Sequence, residues 1–156
     1  MPSALSHLTS ITSPPPEGST LTLTVPARSG EVAGIRRAVG VVGRRADLDA
    51  DRLADVALAV AEACANAVVH AYVGRAIGVL RVTADATPEG LQVVVADEGR
   101  GMASRSDSPG LGLGLPLMAS LTTALEVCPS PAGGTEIRMA FAHADPDVAD
   151  AWAQAS

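Results

Sequence analysis

Glu62 and Asn66 stand one helical turn apart in a stretch, Val56 to Val69, that otherwise holds only Val, Ala, Leu and Cys. A carboxylate and a carboxamide at i and i+4 share one helix face. On so apolar a helix they either lie on a solvent-facing stripe, together with Asp55 and His70, or line a polar cleft. In a cleft, Asn66 offers a neutral oxygen to a Mg²⁺ held mainly by phosphates and water. Glu62 is then placed to orient or deprotonate a hydroxyl or water attacking a phosphate.

Three glycine-bearing motifs follow. The first, Asp97-Glu98-Gly99-Arg100-Gly101-Met102, comes directly after the apolar run Val93 to Ala96. Asp97 there can accept a hydrogen bond from an exocyclic amine such as the adenine N6 group, and Gly99 and Gly101 let the backbone come close to a base. An ordinary glycine turn is the plainer alternative. The second, Gly110-Leu111-Gly112-Leu113-Gly114-Leu115, precedes an apolar helix. Its backbone N–H groups and the helix dipole can cradle phosphates, or the run is a hinge or a simple helix start. A dinucleotide fingerprint is excluded, because Leu115 and Leu117 stand where the third glycine belongs. A P-loop is excluded too, since the chain has no Lys. The third motif is Gly133-Gly134-Thr135, where Thr135 can bond the base region or its water, although a hairpin turn explains both glycines equally well.

Regular elements must hold these residues. Leu21, Leu23 and Val25 alternate with Thr20, Thr22 and Thr24, the period of a half-buried strand that Pro26 ends. A first helix is expected from an N-cap at Ser29 to about Gly43 or Arg45, and a second, the longest, from Asp49 or Asp51 to Tyr72. Its buried face should carry Leu53, Val56, Ala57, Val60, Ala61, Cys64 and Val68. Residues 77–84 and 91–96 read as a hairpin across Thr87 to Gly90. A short helix over 115–121 and strands at 124–128 and 135–141 complete the pattern. Helices first and strands afterwards imply a two-layer α/β sandwich, an open sheet covered on one face.

The 156 residues suit a single domain. Residues 1–19, rich in Ser, Thr and Pro, read as a disordered tail, the domain as 20–142, and 143–156 as a polar tail with at most one weak helical turn. Aromatics at 2% leave the core to aliphatic side chains. A net charge of −6, with every one of the 11 cations an Arg, argues against direct nucleic-acid binding. Cys64 and Cys128 fit no metal or redox spacing, which suits a reducing cytoplasm. No secretory signal and no uninterrupted membrane-length apolar run is present.

The motifs occur in one order: E-x-x-x-N on a long helix, D-x-G-x-G after a strand, G-x-G-x-G before a helix, and G-T on the last strand. That order resembles the GHKL ATPases, the superfamily of gyrase, Hsp90-type chaperones, histidine kinases and MutL. Glu62-Ala-Cys-Ala-Asn66-Ala-Val-Val-His70-Ala-Tyr72 is similar to the N box of the anti-sigma-factor serine kinases of the RsbW and SpoIIAB type.

The resemblance, from Leu21 to Phe141, implies the Bergerat ATP-binding fold: an open, mixed but mainly antiparallel sheet with helices on one face. It implies ATP and Mg²⁺ as cofactors, with Glu62 as general base, Asn66 as Mg²⁺ ligand and Asp97 as adenine reader. Gly99, Gly101 and Met102, with Gly110, Leu111, Gly112, Leu113, Gly114 and Leu115, would shape the pocket, and Thr135 would support Asp97. It further implies a cytoplasmic protein, away from membranes, that sequesters a sigma factor and phosphorylates a Ser or Thr of a STAS-type anti-anti-sigma protein. Such proteins commonly form homodimers, which this sequence neither supports nor opposes. His70 and Tyr72 match the family wording but are read as packing and capping residues. The sequence departs from several relatives in having only residues 102–109 between the glycine boxes, little room for a lid. One alternative is therefore a module that binds ATP to switch partners without phosphoryl transfer. Another is a stand-alone histidine-kinase-type catalytic domain, disfavoured because His7, His70 and His143 are isolated and no helical hairpin with a phosphoacceptor His precedes the domain.

Overall fold

A computed structural model describes residues 20–100 and 111–144, with backbone alone at 111–113. The expectations placed on the tails at 1–19 and 145–156, on the lid at 102–109, and on Gly101, Met102 and Gly110 lie outside the described residues. In chain order the elements are β1 (Thr20–Pro26), α1 (Val32–Arg45), α2 (Ala50–Asn66), β2 (Val79–Thr87), β3 (Gly90–Asp97), α3 (Leu111–Leu121), β4 (Ala124–Pro129) and β5 (Thr135–Ala142). The strands form one open sheet in the order β1-β2-β3-β5-β4, and every pairing is antiparallel. Among the described residues no parallel pair adds the mixed element that was expected of the sheet.

Period-two alternation decides which face the helices cover. Leu80, Val82 and Ala84 of β2, Leu91, Val93 and Val95 of β3, and Ile137, Met139 and Phe141 of β5 point inward and are buried. Ile35, Val39 and Val42 of α1 and Val56, Ala59, Val60, Ala63 and Cys64 of α2 close over them. Each large aliphatic side chain so buried contributes about 1.5–3 kcal/mol. The opposite face of the sheet is wet, with Arg138 paired to Glu136 at 2.6 Å and to its cross-strand neighbour Glu126 at 3.9 Å. Deep burial pushes the Cys64 thiol up to about 12, so this sulfur packs as a small apolar group and stays un-ionised.

The helix termini separate the accurate expectations from the inaccurate ones. Asp49 caps α2, its carboxylate accepting from Arg52 N at 2.8 Å. Ser29 caps nothing. It opens a single 3₁₀ turn, Ser29–Glu31, and α1 begins at Val32 with no side-chain cap. After Asn66 the second helix loosens into a π turn, Ala67–Ala71, so its rotational register changes just past the polar pair. With that turn it runs Ala50–Ala71, long and apolar enough by length and composition to cross a membrane at a mean hydropathy of 1.4. Its apolar face nevertheless packs on the sheet.

Helix α3 starts at Leu111 rather than Leu115, so Gly112 and Gly114 belong to the helix instead of leading into it. Pro116 lacks an N–H, which leaves the Gly112 carbonyl without its helical donor.

Candidate functional site

Asp97 continues the inward phase of β3, taking the place after Leu91, Val93 and Val95 where a core side chain would otherwise sit. Thr135 does the same at the start of β5, ahead of Ile137, Met139 and Phe141. The β3–β5 register, which ends at Ala96 opposite Glu136, brings the two polar residues side by side at one end of the sheet. Both are buried, at 4% and 1% exposure. Asp97 Oδ1 accepts from Gly99 N at 2.9 Å and from Thr135 N at 3.3 Å. These bonds to backbone N–H groups satisfy an oxygen that would be costly to bury without partners.

Two glycines let the backbone close in on this carboxylate. A Cβ on Gly99 would stand 2.1 Å from the Ala71 carbonyl oxygen, and the adjacent Arg100 N donates to that oxygen at 3.0 Å. The orphan carbonyl at the end of the π turn thus finds its donor in the D-x-G-x-G loop. Gly133 and Gly134 divide their work. Gly133, at φ +88°, meets nothing and serves the hairpin, whereas a Cβ on Gly134, at φ +82°, would come within 2.6 Å of Asp97 Oδ1. Gly133 thus serves the turn, and Gly134 the close packing of the hairpin against Asp97.

Tyr72 was a residue to which sequence reasoning gave no more than packing and capping. Its hydroxyl donates to Val79 O at 2.7 Å and accepts from Glu98 N at 2.9 Å, tying the end of the second helix to the start of β2 and the end of β3. Burial pushes its pKa up, so the hydroxyl remains a donor. The signal that exposes this latch is Gly78, where a Cβ would strike the Tyr72 ring at 2.2 Å.

Asn66 is buried, at 8% exposure, and Glu62 is half-buried. The position of a Cβ on Gly114 lies 3.2 Å from Asn66 Nδ2, 3.3 Å from Asn66 Oδ1 and 3.6 Å from Glu62 Oε2. The polar pair of α2 therefore faces the first turn of α3 rather than lying on the exposed stripe of the helix. The structure brings Glu62, Asn66 and Gly114 together in one cluster, and Asp97, Gly99, Gly134 and Thr135 in a second. Leu115 is half-buried in the turn after Gly114, while Leu111, Gly112 and Leu113 are placed as helical backbone.

Thr135 Oγ1 is buried with no hydrogen-bond partner among the described residues. An unsatisfied buried hydroxyl costs about 1–3 kcal/mol, and this one suits a polar ligand that supplies its missing partner. A planar group bearing an amine fits against Asp97 and Thr135, and an anion fits at the N–H groups that open α3. Those are the two ends of a nucleotide.

Residues 25–141 match the family described as histidine kinase-like ATPase domain. An anti-sigma F factor of Clostridium beijerinckii is 29% identical over 122 residues, covering 71% of this chain and 85% of that protein. The serine-protein kinase RsbW of Bacillus subtilis is 39% identical over 75 residues, 48% of this chain and 47% of that protein. Among solved structures, the histidine kinase domain of a blue-light activated histidine kinase from Erythrobacter litoralis superposes with a TM-score of 0.50 at 24% identity, covering 74% of this chain and 60% of that one. Likeness at that identity concerns the fold alone. The family match runs from β1 through β5, and the chain belongs to the family of histidine kinase-like ATPase domains, with ATP as its nucleotide.

Proposed function

We propose that the chain is a cytoplasmic anti-sigma factor that sequesters a sigma factor and transfers the γ-phosphate of ATP to a Ser or Thr of a STAS-type anti-anti-sigma protein. The observation that carries this reading is the approach of Gly114 to Asn66 and Glu62, which sets a carboxylate beside the helix end best suited to phosphate. The names of the relatives, anti-sigma F factor and serine-protein kinase, supply the partner class.

In this proposal Asp97 accepts from the adenine N6 amine and Thr135 Oγ1 bonds the base or its water. The N–H groups at the start of α3 hold the phosphates. Asn66 Oδ1 would be the protein ligand for Mg²⁺, which would screen the phosphate charge. No group of three or more His, Cys, Asp or Glu side chains among the described residues could hold a metal by itself, so phosphate and water oxygens would supply the remaining ligands. Glu62 takes the proton of the substrate hydroxyl as its oxygen bonds to the γ-phosphorus. The bond to the leaving ADP oxygen breaks, and ADP departs with that electron pair.

The test is incubation of the chain with γ-labelled ATP, Mg²⁺ and a STAS-type anti-anti-sigma protein. Acid-stable label on that protein is the expected result. ATP binding without transfer would leave a partner-switching module, and acid-labile label would mean histidine phosphorylation.

Thr135→Val separates the ligand role of this residue from a structural one, because the two effects have opposite signs. Removing the orphan hydroxyl should raise stability by about 1 kcal/mol, and losing its bond to the nucleotide should weaken ATP binding up to about tenfold. Thermal unfolding and calorimetry read both. Unchanged ATP affinity would remove Thr135 from the site.

A further inference from the structure

Although the chain carries a net charge of −6, α1 is strongly basic. Arg36, Arg37, Arg44 and Arg45 are exposed and make no ion pair or hydrogen bond among the described residues, in contrast to Arg52, Arg81 and Arg138, which are paired with carboxylates. Three of the four surround a groove of about 560 Å³ between the outer faces of α1 and α2. Arg36, Arg37 and Arg44 edge it, and Val41, Leu53 and Ala57 are part of its floor. Val41 is 39% exposed. The guanidinium of Arg37 lies back over Gly34 and that of Arg44 over Gly40, at 3.8 and 3.6 Å from where a Cβ on each glycine would stand. Unpaired like charges along an apolar floor call for a segment that is acidic on one side and apolar on the other.

The chain has such a segment at hand. Residues 145–156 contain Asp145, Asp147 and Asp150, no cation, and Val148 and Trp152, the one Trp of the sequence. The fold delivers them to the right place. Strand β5 ends at Ala142 opposite Gly90, and His143 N donates to Glu89 O at 3.0 Å. Leu91, next along β3, packs under the end of α1, where its Cδ2 is 3.7 Å from the position of a Cβ on Gly43. The segment therefore leaves the sheet beside the end of α1 that bears Arg44. Twelve extended residues reach roughly 40 Å, well beyond the ~21 Å length of α1.

We propose that residues 145–156 dock across the α1–α2 groove of the same molecule, the aspartates on the arginine rim and Val148 and Trp152 on the apolar floor. An acidic partner using this face has to displace them first.

Trp152 reports directly on the contact. In the full chain its emission should be blue-shifted and its quenching by acrylamide well below that of a synthetic peptide of residues 145–156. Arg37→Glu with Arg44→Glu should abolish both differences, and high salt should reduce them. Asp147→Asn with Asp150→Asn should act in the same direction from the other side, and this second pair keeps the test valid if the arginine variant unfolds. Unchanged far-UV dichroism accompanies each measurement. The proposal is overturned if Trp152 in the wild type is quenched like the free peptide, or if its protection survives both pairs of substitutions. It is equally overturned if protection grows with protein concentration together with a doubled mass, because the segment would then sit on a second copy.

Discussion

Asp97→Asn weakens ATP binding roughly 100-fold and leaves the melting temperature near that of the wild type. The first half follows from hydrogen-bond polarity. Asp97 Oδ1 receives two backbone donors, Gly99 N and Thr135 N. Only the oxygen of an asparagine side chain can replace it there, which turns the amide NH₂ toward the nucleotide. In the proposed binding mode a donor then faces the donor amine of adenine where a carboxylate oxygen would have accepted it. Losing a hydrogen bond to a charged group and leaving buried donors opposed costs about 2–3 kcal/mol, or about a hundredfold in affinity. The second half follows from the same two backbone bonds, which the asparagine oxygen preserves. Calorimetric titration with ATP beside a thermal melt checks both at once. Wild-type affinity in the variant would move the base elsewhere. A collapse in melting temperature would mean that Asp97 serves the fold through its charge. Asp97→Ala is a poorer probe, because it strips Gly99 N and Thr135 N of their acceptor and confounds the two effects.

The strands were legible because alternation is a local signal. The hairpin of β2 and β3 and the pairing of β4 with β5 required nothing beyond period two and turn residues. The polar pair on α2 was harder. In an Ala-rich helix polarity does not mark the outside, and here the exposed stripe is built from Ala54, Leu58, Ala65 and Val69, with Leu58 at 44% and Val69 at 59% exposure. A rule that sends polar residues to water therefore points the wrong way, and only the approach of Gly114 decides the matter. The start of α3 was misplaced for a related reason. Gly112 and Gly114 are poor helix formers, so the run reads as a loop. A Cβ at 114 would crowd the Asn66 amide at 3.2–3.3 Å, so packing against α2 favours glycine there, and that tertiary preference overrides propensity. Ser29 failed in the opposite sense, a good cap residue where the chain enters through a 3₁₀ turn. The π turn, and the bond its last carbonyl accepts from Arg100 N, had no sequence signal, since both partners are backbone.

Glu62→Gln tests the chemistry as Asp97→Asn tests the binding. Glutamine keeps the length and the hydrogen-bonding reach of the side chain and removes its capacity to take a proton. Losing a general base lowers transfer by about 10²–10⁴-fold, and because the proposed role sets Glu62 at the attacking hydroxyl rather than at the adenine, ATP affinity should stay within about threefold of wild type. The residue is half-buried and makes no ion pair with any described residue, so the substitution should cost little stability. Phosphorylation of the anti-anti-sigma protein, measured with γ-labelled ATP at saturating nucleotide, isolates the chemical step. A matched fall in transfer and in partner-independent ATP hydrolysis assigns the proton to Glu62. Full transfer in the variant would take the base away from α2 and leave Glu62 as a side chain that only lines the cleft. A wild type that binds ATP and transfers nothing would make the substitution silent. The switch would then lie in how α3 responds to nucleotide, an equilibrium that ATP can shift only by binding one state more tightly than the other.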